Sequence, residues 1–138
     1  MTENSYLIEP IGIIRSTLAN LADAPLQGDE GNYEAWLELT PQAAPGLTGI
    51  ELGDKLIVLT WLHLAQRDVL QVHPRGNPNN PLIGVFGTRS PDRPNPVGLH
   101  RVSILQIDGQ RLKVGPIEAI DGTPIVDIKP VLTRIEDR

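Results

Sequence analysis

A chain of 138 residues with 13 glycines and 13 prolines is sized for a single domain, spanning residues 1–138, with many turns and few long helices. It has no cysteine and three histidines, which excludes disulfides and thiolate metal sites and gives a structural zinc site little support, so no metal is expected. A formal net charge of −5 argues against the broad basic face that drives nonspecific nucleic-acid binding, although a local patch is compatible with it.

The opening residues Met1-Thr2-Glu3-Asn4-Ser5 lack the basic and apolar regions of a signal peptide, and no apolar run approaches the roughly 20 residues of a membrane span. A soluble, cytoplasmic protein is the expectation. Short runs rich in β-branched residues then predict strands over 6–14, 36–39, 55–63, 83–86, 97–107, 112–114 and 124–128. Between the second and third, Thr40 is placed to cap one helical turn from Pro41 to about Gly49, kept short by its own prolines and glycines. Along 97–107 neither alternating face is cleanly polar, which predicts a strand covered on both sides, as a barrel wall or a dimer face is. Asp108-Gly109 predicts a tight hairpin and Asp121-Gly122 a second turn, since glycine supplies positive φ freely. The segments 16–32, 66–81 and 88–96 are too irregular for strands, and long loops in a small domain are mobile or functional. The expected fold is mainly β: an antiparallel, closed or nearly closed barrel with little helix. No strand runs into G-x-G-x-x-G, so a Rossmann sheet gains no support.

One segment carries most of the chemistry. Gly84-Val85-Phe86-Gly87-Thr88-Arg89-Ser90-Pro91-Asp92-Arg93-Pro94-Asn95-Pro96-Val97-Gly98-Leu99 leaves one predicted strand and enters another across three prolines. Each proline fixes its own φ and biases the residue before it toward extended backbone, so Arg89, Arg93 and Asn95 are held at little entropic cost on binding. Arg89 and Arg93 offer planar forks that match a carboxylate or phosphate, and Ser90 and Asn95 add neutral hydrogen-bonding groups. On spacing alone, a braced loop whose arginines pair with surface carboxylates is an equal reading.

The run closely resembles the signature of the TsaA-like (TrmO/YaeB) family, G-V-F-A-T-R-S-P-x-R-P-N-P-I-G-L. It is joined in order by Pro10-Ile11-Gly12-Ile13-Ile14-Arg15-Ser16, Gly46-Leu47, Trp61-Leu62-His63, and Asp121-Gly122-Thr123-Pro124-Ile125-Val126-Asp127-Ile128-Lys129-Pro130. The resemblance implies a β-barrel methyltransferase that uses S-adenosylmethionine at or near a homodimer interface. The best-known members N6-methylate threonylcarbamoyladenosine in tRNA, just 3′ of the anticodon. Carried over residue by residue, it implies cofactor-binding roles for Thr88, Arg89, Ser90, Arg93, Asp121, Thr123 and Gln27, with Arg89 first for the methionyl carboxylate. It implies catalytic roles for His63 and Asn95. Bland alternatives stand beside these: Arg93 pairing with Asp92 or crossing the dimer interface, Asp121 capping its own turn, His63 as a core histidine. Asp127 and Lys129 share a strand face and suit an internal ion pair, and His73 and His100 read as structural.

Two positions depart from the family. Pro25-Leu26-Gln27-Gly28 lacks the arginine of the usual Pro-Arg-Gln, and Asp92 stands where histidine is common. Both disfavour an anionic substrate. The acidic charge, and a chain that stops at Arg138 without the extra domain of the bacterial tRNA enzymes, weaken tRNA as the partner. The alternatives are a methyltransferase acting on a small molecule and a cofactor-binding regulatory module without turnover.

Overall fold

Alternating apolar residues become the lining of a barrel. The computed structural model describes residues 4–17 and 33–132, with eight strands: β1 (Gly12–Arg15), β2 (Ala35–Leu39), β3 (Lys55–Trp61), β4 (Gln71–Val72), β5 (Ile83–Gly84), β6 (Val97–Asp108), β7 (Arg111–Gly115) and β8 (Pro124–Pro130). Six of them close an antiparallel barrel in the order β1-β2-β7-β6-β3-β8, and β4 pairs with β5 in a separate ribbon. Every second residue of the wall points inward, as the strand period demands. Ile14, Leu37, Val58, Leu112, Val114 and Ile125 are fully buried there. Each such burial contributes roughly 1.5–3 kcal/mol. Among the described residues no helix is long and apolar enough to cross a membrane.

The turns follow their predicted chemistry. Gly109 takes φ +61 between Asp108 and its ladder partner Arg111; positive φ at that position alone is the type II′ pattern. Gly122 takes φ +87, and the Thr123 N–H bonds the Ile120 carbonyl across the second turn. The predicted helical turn is a 3-10 turn at Ala44–Leu47, preceded by Thr40, whose Oγ1 accepts from the Ala43 N–H at 3.2 Å.

Three differences from expectation have local causes. The first strand starts at Gly12 and not at Tyr6: Pro10 cannot donate to a ladder, and Tyr6 and Leu7 lie 88% and 82% exposed. The 83–86 run gives only two strand residues before a 3-10 turn at Val85–Gly87. β4 falls inside 66–81, where no strand was expected.

Register gathers several elements at one end of the barrel. Trp61 pairs with Val97, Thr60 with Ile125, Arg15 with Trp36 and Ala35 with Val114. The end of β3, the starts of β6 and β8, and the Asp121-Gly122 turn therefore share that end. Gly98 shows how tightly it is packed: a Cβ there would collide with the Thr60 hydroxyl and lie 3.1 Å from His100 Nε2. The barrel covers the inner side of β6, whereas Val97, Leu99 and Leu105 on its outer side stay 42–44% exposed in the single chain; a bulge between Ile104 and Gln106 then turns Ile107 to the face of its partner Leu112.

Candidate functional site

The signature loop, residues 88–96, spans from the 3-10 turn to the start of β6 over this crowded end. Its own polar groups build it. Thr88 Oγ1 donates to the Val85 carbonyl at 3.0 Å and accepts from the Ser90 N–H at 3.1 Å. Ser90 Oγ lies 3.3 Å from the Asp92 N–H and 3.5 Å from the Asp92 carbonyl. Arg93 turns its guanidinium inward, with Nη1 donating to the carbonyls of Thr88 at 3.1 Å and Ser90 at 2.9 Å. One arginine of the pair thus serves as the internal brace of the loop, without pairing with Asp92.

Arg89 is different. It is exposed and has no hydrogen-bond or ion-pair partner among the described residues. A guanidinium has only donors and cannot lose its charge, so Arg89 keeps its whole fork open to solvent or to an incoming acceptor.

The loop is fastened to the segment that follows β3. The Gln66 N–H donates to Asp92 Oδ1 at 2.8 Å and the Gln66 carbonyl accepts from the Arg93 N–H at 3.1 Å. Arg67 donates through Nε to the Pro94 carbonyl at 2.7 Å and through Nη2 to Asn95 Oδ1 at 3.0 Å, while its guanidinium lies over the Trp61 ring, 5.1 Å from the centroid. The Leu62 N–H bonds the Pro96 carbonyl at 2.8 Å, so His63 and Asn95 flank one hydrogen bond. His63 is exposed in the turn after β3 and is no core histidine.

Asp121 and Thr123 sit at the same barrel end with their polar atoms engaged. Asp121 accepts from the Ser16 N–H at 3.0 Å and pairs with Arg15 at 3.6 Å; Thr123 is buried and its hydroxyl donates to the Ile120 carbonyl at 2.6 Å. A shallow depression of about 420 Å³ nearby is lined by Arg15, Glu34, Trp36 and Lys113, among others. Its cations are spent, Lys113 on Glu34 at 3.3 Å and Arg15 on Glu38 and Asp121, so it offers an anion less than Arg89 does. Asp127 and Lys129 do pair, at 3.0 Å, but on the surface and not internally as expected, because both side chains lie on the solvent side of β8. Gln27 and its neighbours in the 18–32 segment lie outside the described residues.

Burial lowers the pKa of His100 from 6.5 to about 4, so it is neutral at pH 7, and its Nε2 lies 3.0 Å from Thr60 Oγ1 within the barrel end. His73 is tied through Nδ1 to the Asn80 carbonyl at 2.8 Å. Both rings are thus engaged by partners within the fold.

Comparison with known proteins matches residues 13–137 to the tRNA-methyltransferase O N-terminal domain. The chain belongs to this family. A probable S-adenosyl-L-methionine-binding protein of Methanothermobacter thermautotrophicus is 42% identical over 99% of this chain and 97% of its own length. An S-adenosyl-L-methionine-binding protein of Archaeoglobus fulgidus is 41% identical over 94% of this chain and 92% of its own. The solved structure of TrmO from Pseudomonas aeruginosa superposes with a TM-score of 0.74 at 29% identity, covering 97% of this chain and 59% of that one. The chain therefore spans rather more than half the length of the solved relatives.

Within the family signature the residues divide by task. Gly98 serves barrel closure, Arg93 the loop's interior, and Arg89 remains available. Sequence reasoning missed Gln66 and Arg67, the outer clamp. Nothing in the spacing links position 67 to position 95; the only available signal was the Trp61-to-Arg67 interval at the end of a predicted strand.

Proposed function

We propose that the chain binds S-adenosylmethionine at the signature loop and transfers its methyl group to N6 of threonylcarbamoyladenosine in tRNA. The observation that carries the reading is the contrast within the loop: nearly every polar group is engaged internally, while Arg89 is left exposed and without a partner among the described residues. That donor set fits a carboxylate, which the methionyl end of the cofactor has. The bound cofactor would supply an activated methyl on a sulfonium, so the chain's task is alignment and polarity. Arg89 holds the carboxylate, Asn95 donates from its amide, and His63, open to solvent beside it, takes up the proton released by the attacking nitrogen.

The reading includes a homodimer. Val97, Leu99 and Leu105 form an apolar stripe on the outside of β6, and Phe86, 78% exposed, stands just before the signature loop. A second copy laid on this face would cover that surface and enclose the loop. Analytical ultracentrifugation of the wild type and of Leu99→Asp tests it: the expected result is a dimer that the charge splits, and a wild-type monomer at micromolar concentration refutes it.

The net charge of −5 favours a second reading for the acceptor alone, a small molecule instead of RNA, because RNA affinity leans on phosphate neutralisation. One experiment separates the cases: calorimetric titration with S-adenosylmethionine, followed by transfer to threonylcarbamoylated tRNA. Binding with transfer is expected. Binding without transfer moves the acceptor to small molecules or leaves a binding module, and absence of binding overturns the cofactor reading.

A further inference from the structure

The geometry points to Arg67 as the positioning residue that sets which atom of the Asn95 carboxamide faces the ligand. A carboxamide has an acceptor end and a donor end of nearly equal size, and an unrestrained one presents either. Arg67 removes the choice. Its guanidinium carries donors only, so the atom it meets at 3.0 Å must be the oxygen, and the Asn95 amide N–H groups are turned away from it as donors. The second arm of the fork, Nε to the Pro94 carbonyl at 2.7 Å, fixes the guanidinium to the backbone one residue before Asn95, so fork and amide keep one relative geometry. Trp61 backs the planar group from the barrel, with the centroid 5.1 Å away, and the ladder partner of Trp61 is Val97, two residues beyond Asn95. The Asn95 carbonyl is also engaged, accepting from the Val97 N–H at 2.8 Å. The backbone carbonyl and the carboxamide oxygen are thus both occupied from the protein side, leaving the amide donors for a ligand oxygen or ring nitrogen.

This inference rests on the signature loop being the ligand site, and its test separates the two. In the full-length protein, the side-chain amide resonances of Asn95, assigned by their loss in Asn95→Ser, report on its order without any cofactor. S-adenosylmethionine titrations of Arg67→Ala, Asn95→Ser and the double variant form a cycle. We expect an ordered amide in the wild type and an averaged one in Arg67→Ala. Arg67→Ala should weaken cofactor binding by about tenfold when Asn95 is present and by little when it is absent, the coupling expected of a charge-assisted hydrogen bond. Arg67→Lys, which keeps the charge and stem but not the fork, should fall between, and it serves if Arg67→Ala folds poorly. An Asn95 amide equally ordered without Arg67 overturns the inference, as does a full loss that persists in the Asn95→Ser background, since that marks a purely structural clamp. Should the wild type bind no cofactor, the functional reading falls, while the amide spectra still decide whether Arg67 fixes Asn95.

Discussion

The barrel wall and the signature loop that crosses its end are held by different forces. The wall closes over Ile14, Leu37, Val58, Val114 and Ile125, apolar side chains with no polar atoms to satisfy, and its specificity comes from alternation and register. The loop buries few large apolar groups. It is held by directed bonds among Thr88, Ser90, Arg93, Gln66 and Arg67, each reaching a particular carbonyl, hydroxyl, carboxylate or carboxamide oxygen. Area-driven packing tolerates many sequences of similar volume, whereas a polar scaffold fixes residue types one by one. That is why the most specific motif of the chain lies in the loop.

The largest effect that would sharpen this contrast is in the wall. Leu37→Ala removes a fully buried side chain and should cost 2–5 kcal/mol of stability in a urea titration, roughly the cost of a cavity the barrel cannot collapse. Affinity of the remaining folded protein for S-adenosylmethionine should hardly change. A large affinity loss at unchanged stability would mean that wall and loop are not separate.

A second test acts where the two meet. His100 is held neutral by burial, with its pKa lowered to about 4 against 6.5 in the unfolded chain. Between those values the unfolded state binds more protons, so stability rises with pH. The contribution is complete above about pH 6.5 and is lost as pH falls toward 4, on the order of 3 kcal/mol in all. His100→Gln should flatten that window in chemical denaturation followed across pH. A slope that survives the substitution belongs to carboxylates and removes His100 as its source.

Much of the wall was legible in the sequence, because period-two alternation and Asp-Gly turns are local signals: 36–39, 97–107 and 112–114 all fall within strands. Where a strand was overextended, at residues 6–11, apolar composition persisted but Pro10 broke the ladder. The loop was legible only as a motif. That Arg93 faces inward while Arg89 does not is invisible in a string where both precede or follow a proline-bearing tripeptide, since the difference depends on which carbonyls the folded loop turns toward each. The clamp from Gln66 and Arg67 joins positions 26 to 28 residues apart and has no sequence-local signal at all.

The smallest effect expected separates those two arginines. Arg93→Ala deletes the donors to the Thr88 and Ser90 carbonyls, which are only partly covered and regain water, so it should cost about 1 to 2 kcal/mol of stability. Cofactor affinity should fall with it, because the loop loses its inner brace. Arg89→Ala deletes no internal bond. Its melting curve should overlay that of the wild type within about 0.5 kcal/mol, while affinity for S-adenosylmethionine drops by roughly 1.5 to 3 kcal/mol through loss of a charge-assisted contact. The pair discriminates because the two substitutions remove the same side chain four residues apart. If Arg89→Ala destabilised the fold as Arg93→Ala does, Arg89 would be a brace as well, and its assignment to an anionic group of the ligand would lose its physical basis.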